Sequence, residues 1–412
     1  MVALCLPAGE SAVQHGAMSL RVLISAGEVS GDQHLARVVA ALKTLAPGCE
    51  VRGMAGRLSR EAGAALDVDC YRAGAGMGFL ELFRSGGKIL SSFRTLSGII
   101  RDWKPNLLIL VDYPDFNLRL AKVAKSHGVK VLYFIPPKVW AWRSRRVKKM
   151  KRFVDRIAAI FPFEPAFYSK HEFRNVLYVG HPLAETIASE NSSSAREETV
   201  LLLPGSRRFE VERLLVPMLK AFEILKQSHP ALKPVVLLAP NIEPAWVRGL
   251  IGDTVSRATL DLVEWSHEQP LVVMQRAKVG VLKSGTCNLE AAIAGLPFVC
   301  VYSGTLLAKV IVSLFVALTE FSPVNIIKPH TVAELMQVRL SPEDVAREIA
   351  SLIENSQRRT TMERDLLAVR EALRGDASER LTVSERVARC VIEMGDVNQN
   401  EPKVVGQGVH NV

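Results

Sequence analysis

Short apolar runs with the character of buried strands alternate along most of this chain with segments of helical period. No other feature constrains the fold as much. Strand-like runs at Arg21–Ala26, Asn106–Val111, Lys130–Ile135, Arg156–Ile160 and Val176–Val179 are interleaved with helical stretches from Gly31 to about Ala46 and from about Asp115 to His127. A second series has strands at Thr199–Leu203, Pro234–Ala239, Thr259–Val263, Lys278–Leu282 and Pro297–Tyr302, with helices at Arg207–Gln227 and Thr286–Ala294. Neighbouring parallel strands need a crossover, usually a helix, so this alternation predicts parallel sheets wrapped by helices. After Ser341 only helical patterns remain, to Met394.

At 412 residues the chain exceeds what one hydrophobic core organises, which calls for two domains. Between Ser189 and Glu198 it reads SENSSSAREE, polar and without periodicity, as a linker does. The expected organisation is a loose extension over 1–17 and a first Rossmann-like domain over 18–188. The linker 189–198, a second such domain over 199–340, helices over 341–394 and a frayed tail over 395–412 follow. The expected fold class is α/β, two doubly wound domains facing a central cleft, with ligands beyond the carboxyl ends of the strands.

Apolar residues at 48% and charged residues at 23% exclude a disordered, collagen-like or coiled-coil chain. The longest apolar stretch, Leu306–Leu318, contains Lys309 and falls short of the roughly 20 residues a membrane-spanning helix needs. The start of the chain lacks a basic segment followed by a sustained apolar one, and the cysteines form no C-x-x-C pair, so a cytoplasmic protein with reduced thiols is expected. The net charge of +10 is concentrated: nine basic residues from Lys138 to Arg156 face one acid, Asp155. Such a block favours nucleic acid, phosphorylated substrates or an anionic membrane face, although a solvated helix face explains it equally well.

Four segments can carry chemistry. Gly27, Glu28, Ser30 and Asp32 lie in AGEVSGD, a glycine turn opening the first helix without the G-x-G-x-x-G spacing of a dinucleotide fingerprint. A substrate role and a plain strand-to-helix turn both fit. In DYPDFN, Asp115 stands where a helix N-cap stands, and is alternatively a general base on the floor of a cleft. Ser206, Arg207 and Arg208 follow Pro204-Gly205 at a strand end, an arrangement able to grip a phosphate. Ser284, Gly285 and Thr286 follow Lys283, with Glu290 one turn into the next helix. These groups can hold a pyrophosphate and a ribose, or Thr286, Asn288 and Glu290 form a capping box. Asp67-Val68-Asp69 is a minimal D-x-D pair without further acids nearby, and the histidines lack zinc-ligand spacing, so neither metal nor cofactor is expected.

Taken together, AGEVSGD, MGFLE, DYPDFN, PPKVWAWRSRRVKKM, FPFEPAFY, VGHPLAE, LLPGSRRFEVE and SGTCNLEAAIAGLP resemble the bacterial lipid-A-disaccharide synthases, in the same order from about Leu20 to Leu340. The resemblance implies an inverting, metal-independent glycosyltransferase of the two-Rossmann-domain class. It would join UDP-2,3-diacylglucosamine to 2,3-diacylglucosamine 1-phosphate, giving a β-1,6-linked disaccharide and UDP. By the same resemblance Asp115 and Arg207 are the essential aspartate and arginine, the SGT turn with Glu290 is the nucleotide pocket, and Asn325 lies in a loop that closes over the UDP phosphates. The first domain then faces the acceptor and the cytoplasmic side of the inner membrane, and a homodimer is a further implication. The chain departs from the family at Asn106, where an aspartate is common, and at Pro136-Pro137-Lys138, where a serine pair is common.

Acylated, phosphorylated substrates call for apolar and basic groups together at a membrane face. Met77, Phe79, Leu80, Leu82 and Phe83, then Lys88, Ile89 and Leu90, and Trp140 and Trp142 within the basic block, supply both. Competing readings are another UDP-sugar enzyme of the same fold, such as a UDP-N-acetylglucosamine 2-epimerase or a different lipid glycosyltransferase, and a basic RNA-binding protein. The last lacks any visible base-stacking module, and no nucleic-acid partner is expected.

Overall fold

The computed structural model describes residues 19–70, 86–140, 146–187, 196–303, 320–376 and 380–395. Among them the first sheet contains β1 (Arg21–Ala26), β2 (Glu50–Ala55), β3 (Ala65–Asp69), β4 (Leu107–Val111), β5 (Lys130–Phe134), β6 (Arg156–Ala159) and β7 (Val176–Tyr178). Its helices are α1 (Val29–Leu45), α2 (Arg57–Glu61), α3 (Gly86–Trp103), α4 (Pro114–Ser126), α5 (Val147–Phe153) and α6 (Glu164–Lys170). The strand order is β3-β2-β1-β4-β5-β6-β7. Val22, Leu23, Ile24 and the whole of β4 are buried on both faces, which is why they read as continuous apolar runs.

The second sheet contains β8 (Thr199–Leu203), β9 (Lys233–Leu237), β10 (Glu264–Ser266), β11 (Val279–Lys283), β12 (Phe298–Ser303) and β13 (Glu334–Gln337). The order is β10-β9-β8-β11-β12-β13 and the pairings are parallel. Its helices are α7 (Arg208–Ser228), α8 (Pro244–Ile251), α9 (Arg257–Leu260), α10 (Pro270–Arg276), α11 (Cys287–Ala294) and α12 (Pro323–Ile327), then α13 (Pro342–Glu354) and α14 (Ser356–Leu373). Both sheets are doubly wound. In each, strand order reverses beside the first strand, between β1 and β4 and between β8 and β11, the point at which ligands bind in open sheets of this kind.

Some elements differ from expectation, among them β2 and β3, which were not in the expected series of strands. The run Thr259–Val263 is not a strand: Ser256 Oγ accepts from Thr259 N and starts the helical turn α9, so the strand comes later, at Glu264–Ser266. Strand β13 follows too short and half-buried a segment to register as an apolar run.

The last helix among the described residues, α15 (Val383–Gly395), returns to the first sheet. Lys130 Nζ donates to Met394 O at 2.8 Å, and Val387 and Val391 are fully buried. Arg386 secures the turn before it, donating through Nη1 to Val179 O at 3.0 Å and Arg374 O at 2.9 Å, and through Nη2 to Asp376 O at 2.7 Å. Gly180, with φ +89, closes the junction: a Cβ there would stand 2.9 Å from Arg374 O. No helix among the described residues is long and apolar enough to cross a membrane.

Candidate active site

Candidate turns leave the carboxyl ends of the two strands flanking each switch point: AGEVSGD and DYPDFN from β1 and β4, PGSR and KSGT from β8 and β11. At the end of β4, Asp112 and Tyr113 both adopt φ +46, and at the end of β5 Ile135 adopts φ +53. Left-handed backbone at such residues is strained, at a cost of order 1–3 kcal/mol each, and persists only where the surroundings dictate it. At the end of β4, Asn117 holds it in place. Its buried Nδ2 donates to Val111 O at 3.1 Å and Asp112 O at 2.8 Å, while Tyr133 OH adds a bond to Asp112 O at 2.7 Å.

This turn delivers Asp115 to the surface. Helix α4 begins at Pro114, which suits a first helical position, so Asp115 lies inside the first turn and not at the N-cap. Its side chain is 80% exposed, and Oδ1 accepts from Arg146 Nη2 at 2.6 Å. Oδ2 has no partner among the described residues.

Asp32 is placed differently from the expectation. It is fully buried, and its carboxylate accepts from Gly56 N, Leu58 N, Ser59 N and Ser59 Oγ at 2.6–3.1 Å, fixing the start of α2. The side chain is committed to the fold. Of its companions, Gly27 is buried, Glu28 is half-buried at the head of α1 and Ser30 is exposed. Asn106 lies at the opposite, amino end of the strands, where Oδ1 accepts from Arg21 N at 2.8 Å. Asp67 of the D-x-D pair is ion-paired to Arg52 on the neighbouring strand.

Behind the basic block, Glu164 is 1% exposed and accepts from Trp140 Nε1 at 3.1 Å and from Ile160 N and Phe161 N at 3.0 Å. Burial raises its carboxyl from 4.5 to about 7 against these donors and Lys138, which lower it. Trp140 meets Phe161 and Phe163 edge-on, these two rings stack on each other, and His181 lies beside Phe161. On α5, Val147 and Met150 face inward, while Lys148, Lys149, Lys151 and Arg152 are exposed. Leu90 is 49% exposed on α3. The MGFLE segment, Leu82, Phe83, Trp142, Arg143, Arg145 and Leu306–Leu318 lie outside the described residues.

In the second sheet, Gly205 adopts φ +120, and a Cβ there would collide with Glu210 Oε2 at 2.5 Å. That oxygen accepts from Ser206 N at 3.1 Å and Arg207 N at 3.2 Å. Burial pushes the Glu210 carboxyl up, but Lys283 and these N–H groups outweigh it and hold it below its ordinary value. Arg207 projects outward with its side chain 69% exposed, whereas Arg208 lies over the Trp246 ring at 5.3 Å.

The KSGT turn is held by Asn288, whose Oδ1 accepts from Gly285 N at 3.2 Å and whose Nδ2 donates to Lys283 O at 3.3 Å. Ser284 Oγ donates to Phe321 O at 3.1 Å. Thr286 makes no capping bond, so the turn is not a capping box. Glu290 makes no hydrogen bond or ion pair among the described residues, and burial raises its carboxyl. Asn325 also departs from expectation. It is 3% exposed, and its amide is used internally, donating to Val332 O at 2.9 Å and Glu334 Oε1 at 2.8 Å and accepting from Val332 N at 2.9 Å. It shapes the α12–β13 connection. Sequence reasoning passed over Glu210 and Lys283 as partners, although Glu210 stands three residues beyond a helix start, the position of a capping glutamate.

The family model for lipid-A-disaccharide synthetase matches residues 22–385. The chain belongs to that family. It is 38% identical over 389 residues to the lipid-A-disaccharide synthase of Trichlorobacter lovleyi, covering 91% of this chain and 97% of that one. To that of Geobacter metallireducens it is 36% identical over 384 residues, with the same coverage. The enzyme is therefore a glycosyltransferase, and the epimerase reading falls. Among solved structures, UDP-GlcNAc 2-epimerase from Neisseria meningitidis matches with a TM-score of 0.58 at 12% identity, covering 91% of this chain and 99% of that one. The calicheamicin glycosyltransferase CalG4 matches with a TM-score of 0.55 at 14% identity, over 92% and 100%. At such identities the likeness is one of fold.

Proposed function

We propose that the enzyme transfers 2,3-diacylglucosamine from UDP-2,3-diacylglucosamine to the 6-hydroxyl of 2,3-diacylglucosamine 1-phosphate, with inversion. The observations that carry this, in a member of this family, are a strained turn presenting the exposed carboxylate of Asp115 at the switch point of the first sheet and, at that of the second, turns carrying Arg207 and Lys283. Asp115 is the general base: the acceptor oxygen attacks the anomeric carbon, its proton passes to Asp115, and the bond to the departing UDP oxygen breaks. Arg207 grips the diphosphate and stabilises the charge that develops on it. The SGT turn and Glu290 receive the nucleotide, Glu290 accepting from a ribose hydroxyl. No metal or cofactor enters the scheme.

The acceptor side faces the cytoplasmic surface of an anionic membrane, to which the exposed cations of α5 bind peripherally while apolar groups such as Leu90 meet the acyl chains. A homodimer is part of this reading. Mass spectrometry of products from purified enzyme, donor and acceptor tests it. The expected product is the disaccharide 1-phosphate, with UDP released only when the acylated acceptor is present, and UDP release without the acceptor would refute it.

A further inference from the structure

The two glycine turns of the second sheet leave adjacent strands, Leu282 of β11 pairing with Leu203 of β8. One ion pair ties them together. Lys283 Nζ lies 2.8 Å from Glu210 Oε1, with the two side chains 18% and 6% exposed. The other oxygen of Glu210 holds Ser206 N and Arg207 N. The same ammonium reaches the second turn, lying 3.9 Å from where a Cβ on Gly285 would stand.

These bonds occupy four of the main-chain donors that an anion at the site could use. Ser206 N and Arg207 N are taken by Glu210, Gly285 N by Asn288 Oδ1 and Ser284 N by Val301 O. Negative charge at these turns therefore draws more heavily on side-chain cations. An ion pair withdrawn from water also adds little to stability, because desolvation offsets most of the attraction, so stability does not explain a lysine at the end of a central strand.

We propose that Lys283 is a donor-binding residue that contacts the diphosphate of the nucleotide sugar, with Glu210 as the positioning residue that holds Lys283 and the Arg207 turn in register. The inference rests on the nucleotide-sugar assignment made above. An ammonium has three donors, so Lys283 keeps Glu210 on one and offers the others to phosphate oxygens.

The test is calorimetric binding of UDP and of uridine to the full-length chain and to Lys283→Met. A charge-assisted contact to phosphate corresponds to about 10- to 100-fold in affinity. Lys283→Met should weaken UDP by about that factor and leave uridine, which has no phosphate, within about twofold, while Lys283→Arg restores most of the UDP affinity. UDP binding as tight as wild type overturns the proposal, and so does an equal loss for both ligands, which would make Lys283 a support for the turns alone. If Lys283→Met does not fold, Lys283→Gln, still able to donate to Glu210 but uncharged, gives the same comparison. Wild-type protein that binds no UDP would instead overturn the nucleotide-sugar assignment itself.

Discussion

Glu164→Gln removes a titration while keeping the side-chain volume, and so isolates the energetic consequence of burying this carboxyl. Its folded value of about 7 lies above the ordinary 4.5, so the native state binds the proton more tightly than the unfolded chain does. Stability from this group is therefore full below the unfolded value and is lost as pH rises through the folded one. The gap between the two values corresponds to roughly 3 kcal/mol. With the side chain 1% exposed, solvent screening does not diminish it. The assay is urea unfolding of wild type and variant from about pH 4.5 to about pH 8. Every other titrating group is common to both proteins and cancels in the difference. Wild type should lose roughly 3 kcal/mol relative to the variant across that range. Any fixed cost of facing the introduced amide toward Trp140 shifts all points equally. A difference independent of pH would refute the reasoning.

Asp115→Asn should lower turnover by about 10² to 10⁴ with melting temperature and UDP affinity retained, and normal turnover would remove Asp115 from the chemistry. Arg207→Ala, at a side chain 69% exposed, should raise the KM for donor in steady-state assays by an amount matching about 1.5–3 kcal/mol without loss of fold, which circular dichroism checks. Replacing Lys148, Lys149, Lys151 and Arg152 together with glutamine should release the enzyme from anionic vesicles in sedimentation, at about 1 kcal/mol per cation. Asp32→Asn sets an amide against main-chain donors and should cost about 2–3 kcal/mol in chemical denaturation, an outcome a solvent-facing substrate ligand would not give.

Those contrasts show where the sequence was legible. The central strands of both sheets were legible because burial on both faces leaves continuous apolar runs, and the four turns because glycine and a following polar residue mark strand ends locally. What Asp32 and Asn325 do was not, since an inward-facing polar side chain reads the same in sequence as an outward-facing one. Only the positions of Ser59 and Val332, brought close by the fold, reveal that both are used internally. Lys283 and Glu210 were missed as a pair for a related reason: their adjacency comes from β8 lying beside β11, a sheet neighbourhood that spacing does not encode. The αL backbone at Tyr113 and Ile135 is likewise invisible to propensity, because both residues disfavour the conformation they are held in.

The return of α15 to the first sheet has a consequence for how the protein is made. Strands β1 to β7 leave the ribosome before the second sheet, and α15, which meets them at Lys130 and carries the buried Val387 and Val391, leaves it only after that sheet. Until then the early sheet lacks the contacts that α15 makes with it, and incompletely packed intermediates are prone to aggregation. A fragment cut at the serine-rich segment after Ile187 would never gain those contacts. Expression of the amino-terminal half alone should accordingly fail in solution, and addition of a peptide spanning Thr382–Gly395 should recover part of it.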